Sequence, residues 1–584
     1  MPYRAGGGFS RPLQKAEPCG AWCGSSPRAR NESGAGETNV APMSTPSRRK
    51  FLIAAGSAAG AAGIAGGLLW WRATRDEHAG HADPAMHVEP LPPSSDAFPN
   101  PLRLPGTGGM HGVVDVAGAL TLTAKPMEHE IVPGKRATIL GYETEHNGQR
   151  VINPVLKMRT GTSVRLKFWN ALEEISIIHW HGLKVDSNND GHPHYAVPGG
   201  ATYDYHFTVA NRAATYWYHP HPHHLTGKQV YRGLAGLFIV EDDEEIALQK
   251  ALDLTFGVND VPLILQDRRF DGDGRLVFAP TRDERFQGHL GNEILVNLTP
   301  RPFFRAATRI HRFRILNGSN ARIYRLAFRH GEHLLEFHVI GGDGGLLDHP
   351  RTVLEAFLSP SERLDVLLDL RAAAVGDAIT LTSLPFDPMH HEAGSAQQAH
   401  DGHAAHGVLP DGAEAAIMSI LVSSKTAYDR KMPQALSRIG PAPQTGEKPR
   451  VIALDQRKGV WRINGLTYDH RATPIVVKRG ATEVWEVRNA AASMPHPMHI
   501  HGFQFRVIGR EGSPEQVRRL TMDEHGLTVS DLGWKDTVLS WPGETVRIVT
   551  DFSHPFLGDQ VYMVHCHNLE HEDGGMMLNL KVAA

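Results

Sequence analysis

The sequence predicts an all-β protein made of repeated β-sandwiches, and three observations predict it. From about residue 115 onward, short runs of β-formers alternate with Gly, Pro, Asn and Asp. No long stretch repeats its apolar residues at a helical period, and Gly 59 with Pro 39 implies many turns and little long helix. Two landmarks also recur three times in the same order, which is the mark of a repeated unit.

The runs include Ser163-Val164-Arg165-Leu166-Lys167-Phe168, Val261-Pro262-Leu263-Ile264-Leu265 and Ile475-Val476-Val477-Lys478. Their length and spacing suit sandwich strands better than α/β units. The first landmark is a strand ending in Asn: Phe168-Trp169-Asn170, Ile315-Leu316-Asn317 and Val487-Arg488-Asn489. The second is a Pro-led turn before a strand: Pro198-Gly199-Gly200, Pro360-Ser361-Glu362 and Pro542-Gly543-Glu544. The separation grows from the first pair to the third, so the units carry different insertions.

At 584 residues the chain exceeds one ordinary domain. The expected plan is an N-terminal extension and export signal over 1–75, a linker over 76–104, and sandwiches over 105–245 and 250–425. A Pro- and Lys-containing linker over 426–450 and a third sandwich over 451–584 complete it. The second sandwich carries an insert at 385–412 with His390, His391, His400, His403 and His406, read as a solvated loop or a weak metal collector. Residues 511–532 are polar and read as a loop near the substrate edge.

The signal is Ser47-Arg48-Arg49-Lys50-Phe51-Leu52 before an Ala/Gly-rich run to Trp71, the pattern of a twin-arginine leader. It implies export in the folded state to the periplasm or beyond. Met43 lies where a start is usual, which reads residues 1–42 as outside the native product. The Ala/Gly content makes the run a poor membrane helix, so no membrane role beyond export is expected.

Net charge is −3, which gives no reason to expect nucleic acid as a partner. The unusual figure is His 35, and histidine is the commonest metal ligand. Of three cysteines, Cys19 and Cys23 precede the signal, leaving Cys566 as the one thiol of the exported chain. No internal disulfide can form, and a lone exported cysteine calls for another role.

Four motifs supply that role. His179-Trp180-His181 and His499-Ile500-His501 are HxH pairs, and on a strand positions i and i+2 share a face. His496 precedes the second pair. Trp217-Tyr218-His219-Pro220-His221 supplies another pair, but His223 continues the alternation, so its register stays open on spacing alone. In His565-Cys566-His567 the two histidines face one side of an extended segment and the cysteine the other, so one strand serves two metal sites. Cys566 with His496, His571 and a weak axial Met576 is the ligand chemistry of a blue copper centre. Structural zinc prefers closed sets with paired cysteines, which this chain lacks.

In order, these motifs resemble the multicopper oxidase family over roughly residues 105–584, most closely its branch of bacterial laccases and periplasmic cuprous oxidases. Gly227-Lys228-Gln229-Val230, Gly233-Leu234-Ala235-Gly236-Leu237 and Gly533-Trp534-Lys535-Asp536-Thr537 are similar to that branch as well. The resemblance implies three cupredoxin-like Greek-key sandwiches holding four copper ions, with a three-copper cluster between the first and third. It assigns type 1 copper to His496, Cys566, His571 and Met576, and type 2 to His179 and His499. It assigns one type 3 copper to His181, His219 and His567 and the other to His221, His501 and His565. His223 becomes a neighbour. Asp190 and Glu572 match positions that relay protons to the oxygen site.

The implied reaction is one-electron oxidation of a donor, at the exposed edge of His496 or His571, coupled to reduction of dioxygen to water by a monomer. The expected donors are phenols or aromatic amines; a cuprous or other metal ion is the alternative, and a non-catalytic copper scaffold a further one. The cuprous oxidases carry an acid four residues before the type 1 histidine, where this chain has Ala492. They carry a methionine two before it, matched by Met494. They also have a Met-rich lid in the third domain that is absent here.

Overall fold

A computed structural model describes residues 96–390 and 408–584. The export signal and most of the histidine-rich insert lie outside the described residues. Among those described, strands form six sheets that face each other in pairs around three apolar cores.

Strand Ser163–Asn170 shows why these segments fold as they do. Its burial alternates strictly, with Val164, Leu166, Phe168 and Asn170 inward and Ser163, Arg165, Lys167 and Trp169 outward. The inward face meets Tyr142, Trp180 and Tyr218 in the first core. Such alternation fixes register, since a one-residue slip would turn the whole apolar set to solvent. The second core gathers around Phe313, Phe328 and Phe337. The third gathers around Trp485, Phe505 and Tyr562, and contains Cys566 and Met576.

The two repeated landmarks prove to be one structural device. Asn170 Nδ2 donates to the carbonyls of Glu174 (2.8 Å) and Val197 (2.9 Å). Asn317 donates likewise to Arg322 (2.8 Å) and Leu358 (3.0 Å), and Asn489 to Met494 (2.9 Å) and Ser540 (3.0 Å). In each unit a buried amide thus ties the end of one strand to the chain just before the Pro-led turn. It satisfies carbonyls that would otherwise be buried without donors.

The end of the expected 76–104 linker is part of the fold. Asn100–Pro101 pairs in parallel with Pro302 and Phe303 at the edge of a sheet of the second sandwich, and Leu102 is buried in its core. An edge strand accommodates proline because its outward side needs no donor. Residues 426–449 form no helix or strand, yet Leu436 is buried and Ser437 Oγ donates to the Leu347 carbonyl at 2.9 Å. Within 511–532, Val517 packs with Phe357 and Trp541, and Gln516 accepts from the Asp387 amide at 2.9 Å. That segment therefore braces the stem of the histidine-rich insert. No described helix is long and apolar enough to cross a membrane.

Candidate metal centre

Two antiparallel strand pairs place the histidines. In the first sandwich Ile178–His181 runs against Ala214–Pro220, with Trp217 opposite His181 and His219 opposite His179. In the third, His496–Ile500 runs against Gln560–Cys566, with Met498 opposite Cys566 and His499 opposite His565. The pairs face each other, so eight imidazoles from two sandwiches fill one buried cage.

Their ligating atoms fall into groups within 4.8 Å: His179, His181 and His499; His181, His219 and His567; and His221, His501 and His565. The last two are the sets expected for the type 3 ions. His223 belongs to none of them; it stacks on His224 with ring centroids 3.5 Å apart.

The hydrogen bonds test whether the cage suits metal. His179 Nδ1 donates to the Asp190 carbonyl (2.6 Å), His499 Nδ1 to the Asp536 carbonyl (2.7 Å) and His219 Nδ1 to the Pro220 carbonyl (2.9 Å). A ring that donates from one nitrogen keeps a lone pair on the other. Those other nitrogens, Nε2 of His179, His219 and His499, are buried without any partner among the described residues. Each such orphan costs about 1–3 kcal/mol. His501 Nε2 and His221 Nε2 also lie 3.0 and 3.4 Å from His565 Nε2. Orphaned lone pairs that converge from several rings suit bound cations.

Burial and the neighbouring imidazoles hold His179, His499 and His501 neutral and push His219 down to about 3; burial likewise brings His221 down to about 4. Neutral imidazole is the ligating form.

The second site lies on the other face of the same strand. Cys566 Sγ is 3.5 Å from Nδ1 of His496 and 3.5 Å from Nδ1 of His571. Met576 is fully buried in the same core, and its carbonyl accepts from the Cys566 amide at 3.1 Å. Burial pushes the thiol pKa up, so a bound cation is needed to hold it as thiolate.

Comparisons with known proteins agree with this geometry. Residues 132–245 and 441–584 each match a multicopper oxidase domain family. The chain is 31% identical over 467 residues to the multicopper oxidase mco of Staphylococcus haemolyticus, covering 79% of this chain and 88% of that one. It is 32% identical over 439 residues to a laccase of Bacillus subtilis, covering 69% and 78%. The McoA multicopper oxidase of Aquifex aeolicus is 41% identical, with a TM-score of 0.73 over 83% of this chain and 99% of that one. The chain belongs to the multicopper oxidase family.

Copper is therefore the cofactor of this oxidase, and dioxygen its electron acceptor. Both expected acids of the oxidase border the cage. Asp190 Oδ2 accepts from His501 Nδ1 at 2.7 Å, and its other oxygen is buried without a partner. Burial raises its pKa well above the usual carboxylate range. Glu572 Oε2 is 3.1 Å from His565 Nδ1, and Oε1 is 3.5 Å from His221 Nε2. Burial pushes Glu572 upward too, but the His221 and His565 imidazoles outweigh it and bring it to about 2.

One expectation about the oxidase is overturned. Neither histidine beside Cys566 offers an exposed edge: His496 is 0% and His571 1% exposed. The cover comes from the second sandwich, whose helix Arg282–Gln287 carries Phe286 over the site. Phe286 stacks on Trp461 at 4.6 Å, and Trp461 lies 4.7 Å from His496 and 5.2 Å from His571. The Phe286 carbonyl accepts from both His571 Nε2 (2.8 Å) and Trp461 Nε1 (2.7 Å).

Sequence reasoning missed this pair, along with Asp536 and Arg363. Only the Gly533–Thr537 segment carried a signal for any of them, and that signal was a likeness without a role.

Proposed function

We propose that this oxidase takes single electrons from phenols or aromatic amines docked against the Phe286–Trp461 pair. One observation carries this reading. Phe286 is half-buried, and its stacked partner touches both histidines beside Cys566. An aromatic donor can stack there without entering the protein.

The proposed ligands are His496, Cys566, His571 and Met576 for type 1 copper and His179 and His499 for type 2. For the type 3 pair they are His181, His219 and His567, and His221, His501 and His565. Bound copper would supply the redox chemistry, taking electrons singly from the donor for the four-electron reduction of dioxygen to water. The chain supplies the rest. His565-Cys566-His567 joins the two ligand sets through a few covalent bonds. The Phe286 carbonyl fixes the His571 ring, and the aromatic cover keeps water from Sγ. Four protons must accompany the electrons, and Glu572 Oε2 beside His565 and the free Asp190 Oδ1 are placed to hold and pass them. The units 105–245, 250–425 and 451–584 would each be a cupredoxin-like domain of an exported monomer.

A second reading has its own support. A cavity of about 10 Å³ beside His496 is lined by His390, Asp411 and Met494. It holds one water-sized body, so a metal ion fits where a phenol does not. Among the described residues Asp411 Oδ1 is buried there without a partner.

Oxygen consumption with a phenol and with cuprous ion, in the native enzyme and in Phe286→Ala and Met494→Leu, separates the two. A rise in KM for the phenol alone in Phe286→Ala supports the aromatic reading. Dominant cuprous turnover that falls in Met494→Leu would replace it.

A further inference from the structure

The cage has a pseudo-twofold arrangement around two aspartates, only one of which the sequence brought to notice. Asp190, from the first sandwich, takes the His179 Nδ1 proton on its backbone carbonyl and His501 Nδ1 on its carboxylate, at 2.6 and 2.7 Å. Asp536, from the third sandwich, takes His499 Nδ1 on its backbone carbonyl at 2.7 Å and lies 3.0 Å from His181 Nε2 through Oδ1. Each aspartate therefore holds the first histidine of its own HxH motif by the main chain. Each reaches across the interface to hold the second histidine of the other motif by the side chain. The rings pair accordingly: His179 stacks on His501 and His181 on His499, both with centroids 3.7 Å apart.

The two halves differ in charge support. Asp536 Oδ1 also accepts from Arg363 Nη1 at 2.8 Å, and Arg363 lies 3.6 Å from Asp343, which Lys535 Nζ approaches at 3.0 Å. Among the described residues no arginine or lysine forms an ion pair with Asp190. Arg363 belongs to the second sandwich, on strand Arg363–Asp369. The Asp536–Arg363 pair thus links the sandwich that holds no cage histidine to the two that hold them all.

We propose that Asp536, seated by Arg363, is a positioning residue for the three-copper cluster. Its carboxylate fixes the His181 ring so that the free Nδ1 faces the cage, and its carbonyl does the same for Nε2 of His499. Both freed nitrogens are buried and without partners. Accepting from the far nitrogen sets the tautomer and direction of a ligand ring, and losing such a partner typically costs 10–100-fold in metal affinity or activity. This inference rests on the proposed ligand assignment.

The test compares copper-loaded native enzyme with Asp536→Ala and Asp536→Asn. The readouts are copper per chain, release to a chelator, the resonance of type 2 copper and the visible colour of the Cys566 site. In Asp536→Ala, cage copper should leave roughly 10–100-fold more readily while the colour stays. Asp536→Asn keeps an oxygen for the His181 N–H and should recover part of the loss. Failure of the ligand assignment would look different, since the native enzyme itself would then lack cage copper. Native copper retention and an unchanged type 2 resonance in Asp536→Ala overturn the proposal. So does loss of the colour in parallel with cage copper, which marks a merely structural role. If Asp536→Ala does not fold, Asp536→Asn decides alone: faster release supports the proposal and native release overturns it.

Discussion

The histidine cage and the Cys566 pocket share one strand, yet their surroundings are opposites. Around the cage, ring after ring donates to a carbonyl or a carboxylate, and Asp190, Glu572 and Asp536 reach the imidazoles directly. Around Cys566 the neighbours are Trp461, Phe286 and Met576, and His571 makes its outer hydrogen bond to a neutral carbonyl. The contrast follows from what each place must handle. Electrons alone pass the pocket, where a dry apolar wall suits a soft thiolate site. At the cage every electron is matched by a proton, and protons need acids and hydrogen bonds.

Removing the thiol breaks the comparison most completely. Cys566→Ser should abolish both the visible colour and donor oxidation, because the oxygen ligand is hard and the covalent link loses its sulfur. Cage copper should remain. Donor turnover that persists in this variant would refute the proposed route.

How much of this was legible depended on distance along the chain. The HxH pairs and His565-Cys566-His567 were readable because a strand converts spacing of two into a shared face, and no tertiary knowledge is required. The repeated Asn and Pro-led turn were visible as landmarks, although their joint role emerged only from the hydrogen bonds. The cover over His496 and His571 was not readable. Phe286 arrives from another sandwich, and its carbonyl bears no residue-specific signal. Arg363 was equally hidden, since a buried arginine on an apolar strand looks like a surface residue until its partners are known. Leu102 and the short strand before it were missed because edge pairing is made by backbone alone.

The acids test the wet side. Glu572→Gln and Asp190→Asn preserve shape and one hydrogen-bonding oxygen while removing the group that takes up a proton at Glu572 and holds one at Asp190. Each should slow oxygen reduction by about 10²-fold, within the usual range for a general acid. The colour of the Cys566 site should be unaffected. Stopped-flow measurement of donor oxidation against oxygen uptake distinguishes the steps; native oxygen kinetics in both variants would remove the acids from the mechanism.

The contrast also bears on stability. In the copper-free protein, burial holds His219 near 3 and His221 near 4, and His311, away from the cage, near 4. Unfolded histidine titrates near 6.5. A depressed folded pKa means the unfolded chain binds the extra proton below 6.5, so stability present above that pH is lost as pH falls. The slope is about 1.4 kcal/mol per pH unit for each such ring. Asp190, Asp573, Asp536, Glu362 and Glu570, the last brought to about 7, are raised by burial and oppose this. The buried histidines held below their usual range outnumber them. The copper-free protein should therefore melt at sharply lower temperature between about pH 6.5 and 4. The copper-loaded enzyme should resist further into acid, because a ligated nitrogen is closed to protons. Equal acid profiles for the two forms would mean the cage rings are not held by metal.

Phe286→Ala should give the smallest effect and the sharpest reading of the dry side. The substitution removes the ring but leaves the carbonyl that holds His571 and Trp461, so ligand geometry and colour should stay native. What is lost is the stack on Trp461 and the surface on which an aromatic donor rests. An aromatic pair contributes about 0.5–1.5 kcal/mol, so KM for a phenolic donor should rise roughly two- to tenfold with kcat little changed. A small inorganic reductant such as ferrocyanide needs no stacking partner. Opening the cover over His496 and His571 should leave its rate unchanged or raise it. Parallel loss for both donors would mean that Phe286 acts by sealing the copper site. Opposite responses would show that the aromatic wall which keeps the Cys566 pocket dry is also the surface that selects its donors.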